Sequence, residues 1–127
     1  MATRALIAVH DEKGQEFCTI YKHWDGSPDC LGATLCKFCD GRVITEGIPY
    51  PRDKVPFRAL ANGMHDLAAQ LIHHLKSESP EGDVYVVPAG QRGVCEEYIY
   101  HIKFQGLRKP VVVEVEDVHD QKVYRLI

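Results

Sequence analysis

A chain of 127 residues with 45% hydrophobic content and a formal net charge of −3 is long enough for one core and too short for two. The acidic balance argues against a general binder of nucleic-acid polymers or anionic membranes. No apolar run approaches the roughly 20 residues of a membrane-spanning helix.

Residues 3–10 are apolar and β-compatible on both faces, Ala5, Ile7 and Val9 against Leu6 and Ala8, which predicts a strand covered on both sides. Asp11 and Glu12 arrive too early for a signal peptide, and five cysteines, an odd number, fit reduced thiols in a cytosol. Asp11 to Gly14 is a turn, with Gly14 suited to a left-handed residue closing a hairpin. Residues 16–24 return as a second strand, with Phe17, Thr19, Tyr21 and His23 on one face and Cys18, Ile20, Lys22 and Trp24 on the other.

Gly26, Ser27 and Pro28 break that strand, and Pro28 and Asp29 mark a helix start. Leu31, Leu35, Phe38 and Cys39 then recur at helical spacing until Asp40 and Gly41. Residues 42–60 read as loop, because Pro49, Pro51 and Pro56 remove donors; Arg42, Arg52, Lys54 and Arg58 fall there too. Asn62 is placed to cap a second helix, whose apolar stripe is Met64, Leu67, Ala68, Leu71, Ile72 and Leu75. Ser79 to Gly82 stops it.

The last third reads as four strands, 83–87, 96–104, 111–117 and 123–127, in an antiparallel meander. The predicted fold is one α+β domain over residues 1–127, an antiparallel sheet of about six strands in the order β-β-α-α-β-β-β-β with two helices on one face.

Tyr21 to Asp25 sets an aromatic, a cation, an imidazole, an indole and a carboxylate in succession at the end of a predicted strand, where a rigid scaffold can aim polar groups at a ligand. Further along stand Tyr98 and Tyr100, with Arg4, Arg92, Arg108 and Arg125 on or beside other strands. Aromatic faces stack nucleobases, and arginine pairs with phosphate as a bidentate fork. In an acidic protein this favours a small nucleotide-derived anion over a polymer, with Tyr21, His23, Trp24, Asp25, Arg92, Tyr100, Arg108 and Arg125 as candidate ligand-binding residues. The plainer alternative is that the tyrosines and Trp24 pack the core while Asp25 caps a turn and the arginines are solvated.

His23 and Asp25 are conceivable as acid and base, but paired carboxylates, a nucleophile elbow and a Walker-type loop are all missing, so no catalytic residue is assigned. The segment from Pro88 to Cys95 has two glycines and Arg92, a pattern that suits phosphate and an ordinary hairpin loop equally. Cys36 and Cys39 form a lone CxxC beside Cys30, without a second ligand pair; small buried cysteines are expected rather than a metal, and no cofactor. Val111, Val113 and Val115 alternate with Val112, Glu114 and Glu116, and the last predicted strand ends in the apolar Leu126 and Ile127. An apolar edge invites another strand, so a homo-oligomer is expected.

The run from Ile20 to Pro28, with Gly32 after it and residues 2–4 before it, resembles a signature of small phage and prophage proteins. In those proteins a strand ends in Tyr-(Lys/Arg)-His-(Tyr/Trp)-Asp-Gly-Tyr-Pro. Ser27 stands where an aromatic is usual, which implies one altered pocket wall. Asn62 to Leu71 is similar more loosely, and the C-terminal strands hardly at all. In size and in combining a sheet with two helices the chain is similar to the Thoeris anti-defence sponges. That resemblance implies an immune-evasion protein that sequesters a cyclic ADP-ribose-like or cyclic oligonucleotide signal without cleaving it. A protein-directed inhibitor of host defence, or a small nucleotide-processing enzyme using His23 and Asp25, is the alternative.

Overall fold

In the computed structural model, which describes residues 2–47 and 60–127, eight strands and two α-helices follow one another along the chain. They are β1 (Ala5–His10), β2 (Glu16–Lys22), α1 (Ala33–Cys39), β3 (Val43–Thr45), β4 (Leu60–Asn62), α2 (Gly63–Glu78), β5 (Val84–Val87), β6 (Tyr98–Lys103), β7 (Val112–Asp117) and β8 (Lys122–Arg125). Six of the strands form one sheet in the order β5-β2-β1-β6-β7-β8, antiparallel except for the β1–β6 pair. The fold is thus α+β with a mostly antiparallel six-stranded sheet. No helix among the described residues is long and apolar enough to cross a membrane.

Strand alternation divides the sheet into two unequal sides. Ala5, Ile7 and Val9 of β1, Tyr100 and Ile102 of β6, and Val113 and Val115 of β7 share one buried cluster with Leu35, Phe38 and Cys39 of α1 and Met64, Leu67, Leu71 and Leu75 of α2. Leu6 and Ala8, in the opposite phase, are buried in a smaller cluster with Ile99, against which Tyr21, Val87, Val94 and Val118 pack. Both faces of β1 are therefore covered, as its two apolar phases predict.

The C-terminal third corrects the expected four-strand meander. β5 does not neighbour β6; it pairs with β2 at one edge of the sheet, and β6 lies parallel to β1. A parallel neighbour needs a crossover rather than a hairpin. The segment 88–97 supplies it by running over the face opposite the helices, where Val94 packs on Leu6, Ala8 and Ile99. Only β6, β7 and β8 form a true meander.

Residues 42–60 are also not simply loop. Their ends form β3 and β4, a short parallel pair in the register Val43↔Leu60, Ile44↔Ala61 and Thr45↔Asn62. Pro49, Pro51, Pro56, Arg52, Lys54 and Arg58 lie outside the described residues. A single wide π-type turn, Pro28–Gly32, precedes α1 where a regular helix start was expected.

Asn62 occupies the N-cap position of α2, but its side chain makes no capping bond; its Oδ1 accepts from Gly47 N instead. The first amides of the helix are met by carboxylates. Glu12, on the β1–β2 turn, accepts from Met64 N at 2.7 Å, and Asp66 accepts from Asn62 N at 2.8 Å. Negative charge is favourable there because the helix dipole is positive at that end. Cys39 is fully buried, and burial pushes its thiol up to about 12. It packs the core, and a thiolate there would be isolated in apolar surroundings.

Candidate functional site

The corner after β2 is tied down mainly through its backbone. His23 N donates to the Asp83 carbonyl, Trp24 N to Asp83 Oδ1 at 2.8 Å, and Gly26 N to Thr3 O at 2.9 Å. Leu31 N closes back on Asp25 O, and Cys30 N and Gly32 N donate to Ser27 O. Lys22 Nζ lies 2.6 Å from both Asp83 Oδ2 and the Trp24 carbonyl. Burial opposes ionisation of Asp83, but Lys22, the Trp24 amide and Ser79 outweigh it and hold the carboxyl below its ordinary range. Asp25 and Asp83 have φ of 56° and 67°, the left-handed region that Asp tolerates better than most residues.

On this frame the candidate residues separate. Tyr21, His23 and Trp24 stay together. The Tyr21 hydroxyl is 2.7 Å from His23 Nδ1, and the His23 ring meets Trp24 edge-on at 4.6 Å between centroids. Tyr85, opposite Tyr21 in the β2–β5 register, extends the row with a 6.1 Å ring separation. Trp24 and Tyr85 are 51% and 50% exposed while Tyr21 and His23 are half-buried, so the row opens to solvent at its two ends. Arg4, immediately before β1 and in phase with Leu6, the cross-strand neighbour of Tyr21, is half-exposed. It takes no part in the arginine and lysine ion pairs among the described residues, which are Lys22–Asp83, Arg92–Glu16 and Lys103–Glu114.

Asp25 turns away into a polar groove that it lines with Lys22, Cys30, Glu78 and Asp83. Tyr100 is fully buried, and its hydroxyl donates to the Gly26 carbonyl at 2.7 Å, so it braces the corner from below. Burial drives its phenol well above the usual range. Arg108 lies in the β6–β7 connection, at the opposite end of β6 from Tyr98, where its amide donates to Ile44 O. Arg125 is on β8, at the far edge of the sheet from β5, with Nε bonded to Ile127 O.

Arg92 is already engaged. Its guanidinium grips Glu16 at 2.8 and 3.1 Å, while Glu16 also accepts from the Thr19 hydroxyl and from Gly90 N. The segment 88–97 is thereby pinned across the sheet. Burial works against the Glu16 charge, but Arg92, Thr19 and Gly90 outweigh it and lower the carboxyl to about 2. Since the folded value lies below the ordinary one, this stabilisation is full above about pH 4.5 and is lost as pH falls towards 2. With Arg92 partly in solvent, the loss should be about 1–2 kcal/mol rather than the full shift. Urea unfolding at stepped pH checks this, and Arg92→Gln should flatten the dependence. An unchanged slope in that variant would contradict the assignment.

Beyond the crossover lies a second polar corner that sequence reading missed. His10 Nε2 is 3.0 Å from His101 Nδ1, with Gly14 O beyond His10 and Glu116 Oε1 beyond His101, each at 3.4 Å. All three contacts can be hydrogen bonds at once only when the ring pair carries one extra proton. Burial lowers the His101 pKa, and Glu116 opposes that. No group of three or more His, Cys, Asp or Glu suited to a metal ion occurs among the described residues.

Comparison with family models, curated proteins and solved structures found no match to this chain.

Proposed function

We propose that the protein captures a small nucleotide-derived anion, of the cyclic ADP-ribose or cyclic oligonucleotide class, and holds it without cleaving it. The observation that carries this is the row Tyr85, Tyr21, His23 and Trp24, exposed at its two ends, with Arg4 in phase with Leu6, the cross-strand neighbour of Tyr21, and in no ion pair among the described residues. Flat rings offer a base a stacking surface worth about 1–3 kcal/mol each, and a guanidinium offers a phosphate its fork. His23 is held by Tyr21 while Asp25 lines a different groove, so the two do not form an acid–base pair. That favours binding over turnover.

The resemblance of residues 20–32 to phage proteins extends the proposal to a phage-associated protein acting against host defence in the host cytosol. The exposed Val123 and Tyr124 of β8 fit assembly through that edge into a homo-oligomer. The same exposed edge supports a second reading, an inhibitor that binds a host protein directly.

Isothermal titration against cyclic ADP-ribose isomers and cyclic di- and trinucleotides is the test. Saturable binding is expected, with the ligand recovered intact after denaturation. Trp24→Ala should weaken it at least tenfold, about 1.4 kcal/mol, while leaving the unfolding midpoint nearly unchanged. Silence across the panel from folded protein overturns the proposal. Product formation that His23→Ala abolishes would replace it with an enzyme.

A further inference from the structure

The helical side of the molecule carries a groove of about 660 Å³ between α1 and α2, away from the aromatic row. Its wall on α2 includes Asp66, Gln70 and His73, spaced i, i+4 and i+7, opposite Phe38 and Arg42 at the end of α1. The Arg42 guanidinium lies 4.0 Å over the Phe38 ring. Its Nε donates to Phe38 O at 3.1 Å and its Nη1 to Gln70 Oε1 at 2.7 Å. Gln70 is fixed in turn, donating to Leu60 O at 2.9 Å.

Nη2 is the one guanidinium nitrogen without a protein acceptor among the described residues. No buried side-chain nitrogen or oxygen among them lacks a partner, so Nη2 is accessible to solvent, and Arg42 lines the groove. Burial also lowers the Arg42 pKa, which marks a cation stripped of part of its water. A guanidinium held by stacking and two hydrogen bonds loses little entropy when it takes up an anion. His73 and His74 offer further donors on the same wall. The nearest opposing charge, Asp66, already accepts from Asn62 N and Gln70 Nε2 through Oδ2.

We propose that this groove is an anion site in which Arg42 Nη2 receives a compact oxyanion, phosphate or carboxylate, on a small flat ligand. The site is separate from the aromatic row and does not depend on it.

The test is an NMR titration of the isotopically labelled full chain with phenyl phosphate and, in a second arm, benzoate. Saturable shifts are expected at Arg42 Nε–H, the Gln70 side-chain amide and the His73 ring. Response to one probe alone identifies which oxyanion the groove takes and still upholds the site. Arg42→Lys keeps the charge but removes the fork and should weaken binding about tenfold. His73→Ala, at an exposed position that makes none of the Arg42 bonds, should weaken it a few-fold without altering the fold. Trp24→Ala should leave these shifts unchanged, so failure of the aromatic-row proposal and failure of this one are distinguishable. No saturable shift with either probe, or shifts that survive both Arg42→Lys and His73→Ala, would overturn it.

Discussion

Gly26→Ala is expected to destabilise the protein by about 3 kcal/mol, because the corner after β2 is closed onto β1 with no room for a methyl group. A Cβ at Gly26 would sit 2.7 Å from the Thr3 carbonyl and 2.8 Å from the Ala5 Cβ. Neither is the free end of a flexible side chain, so backbone must move. Moving it stretches two bonds at once, Gly26 N to Thr3 O and the Tyr100 hydroxyl to Gly26 O. The second is fully buried, so a displaced carbonyl leaves a phenol without its acceptor. Gly14→Ala is the matched control. Gly14 has a φ of 86° with nothing within 4 Å, so only backbone strain of about 1 kcal/mol is expected there. If the denaturant midpoint moves no further for Gly26→Ala than for Gly14→Ala, the close approach is not what holds the corner.

The features legible in the sequence are those set by near neighbours. The β1–β2 hairpin follows from its turn, where Asp11 N donates to Gln15 O, Gly14 N to Asp11 O, and Gly14 alone must be left-handed. The α2 stripe is legible for the same reason, since Leu67, Leu71 and Leu75 fall on one helical face by spacing alone. Pairing partners were not legible. A period of two assigns each residue to a face of the sheet and says nothing about which strand lies alongside. β5 could as well have turned back on β6; the packing of Val94 on Leu6, Ala8 and Ile99 and the ties of Gly90 and Arg92 to Glu16 favour the crossover.

The same limit governs the site. Tyr21, His23 and Trp24 are close in sequence and remain close in space, whereas Tyr85, their neighbour across strands, depends on the β2–β5 pairing. Tyr100 was misplaced for a different reason. It shares its phase with Ile102, a core residue, so the ring expected to stack a base lies in the core with its hydroxyl on the Gly26 carbonyl. The three candidate arginines, Arg92, Arg108 and Arg125, are dispersed, because each belongs to a different connection or edge. Arg42, grouped with the loop cations, is instead held by two hydrogen bonds and the Phe38 ring.

Asp83→Asn should destabilise the protein by about 2–3 kcal/mol and loosen the corner that presents Trp24. Asp83 and Lys22 are only 11% and 12% exposed, and the ammonium has two oxygen acceptors, Asp83 Oδ2 and the Trp24 carbonyl, both at 2.6 Å. Asparagine keeps the left-handed backbone that Asp83 adopts, with φ of 67°, so the change isolates the charge. Its Oδ1 can still accept from Trp24 N, but its amide group would then point donors at a half-buried ammonium. Removing one partner of such a pair leaves the other desolvated, which outweighs the modest value of the pair itself. Lys22→Met in the same background should restore part of the loss, because the stranded charge is then gone. The pH dependence separates this from simple loss of packing. Asp83 ionises below its ordinary range in the folded state, so the native protein gains stability above that range and loses it on acidification. Asp83→Asn should remove that portion of the acid sensitivity, and urea midpoints at neutral and acidic pH report it directly. Equal midpoint losses at both pH values would mean that the carboxylate charge is not what secures the corner.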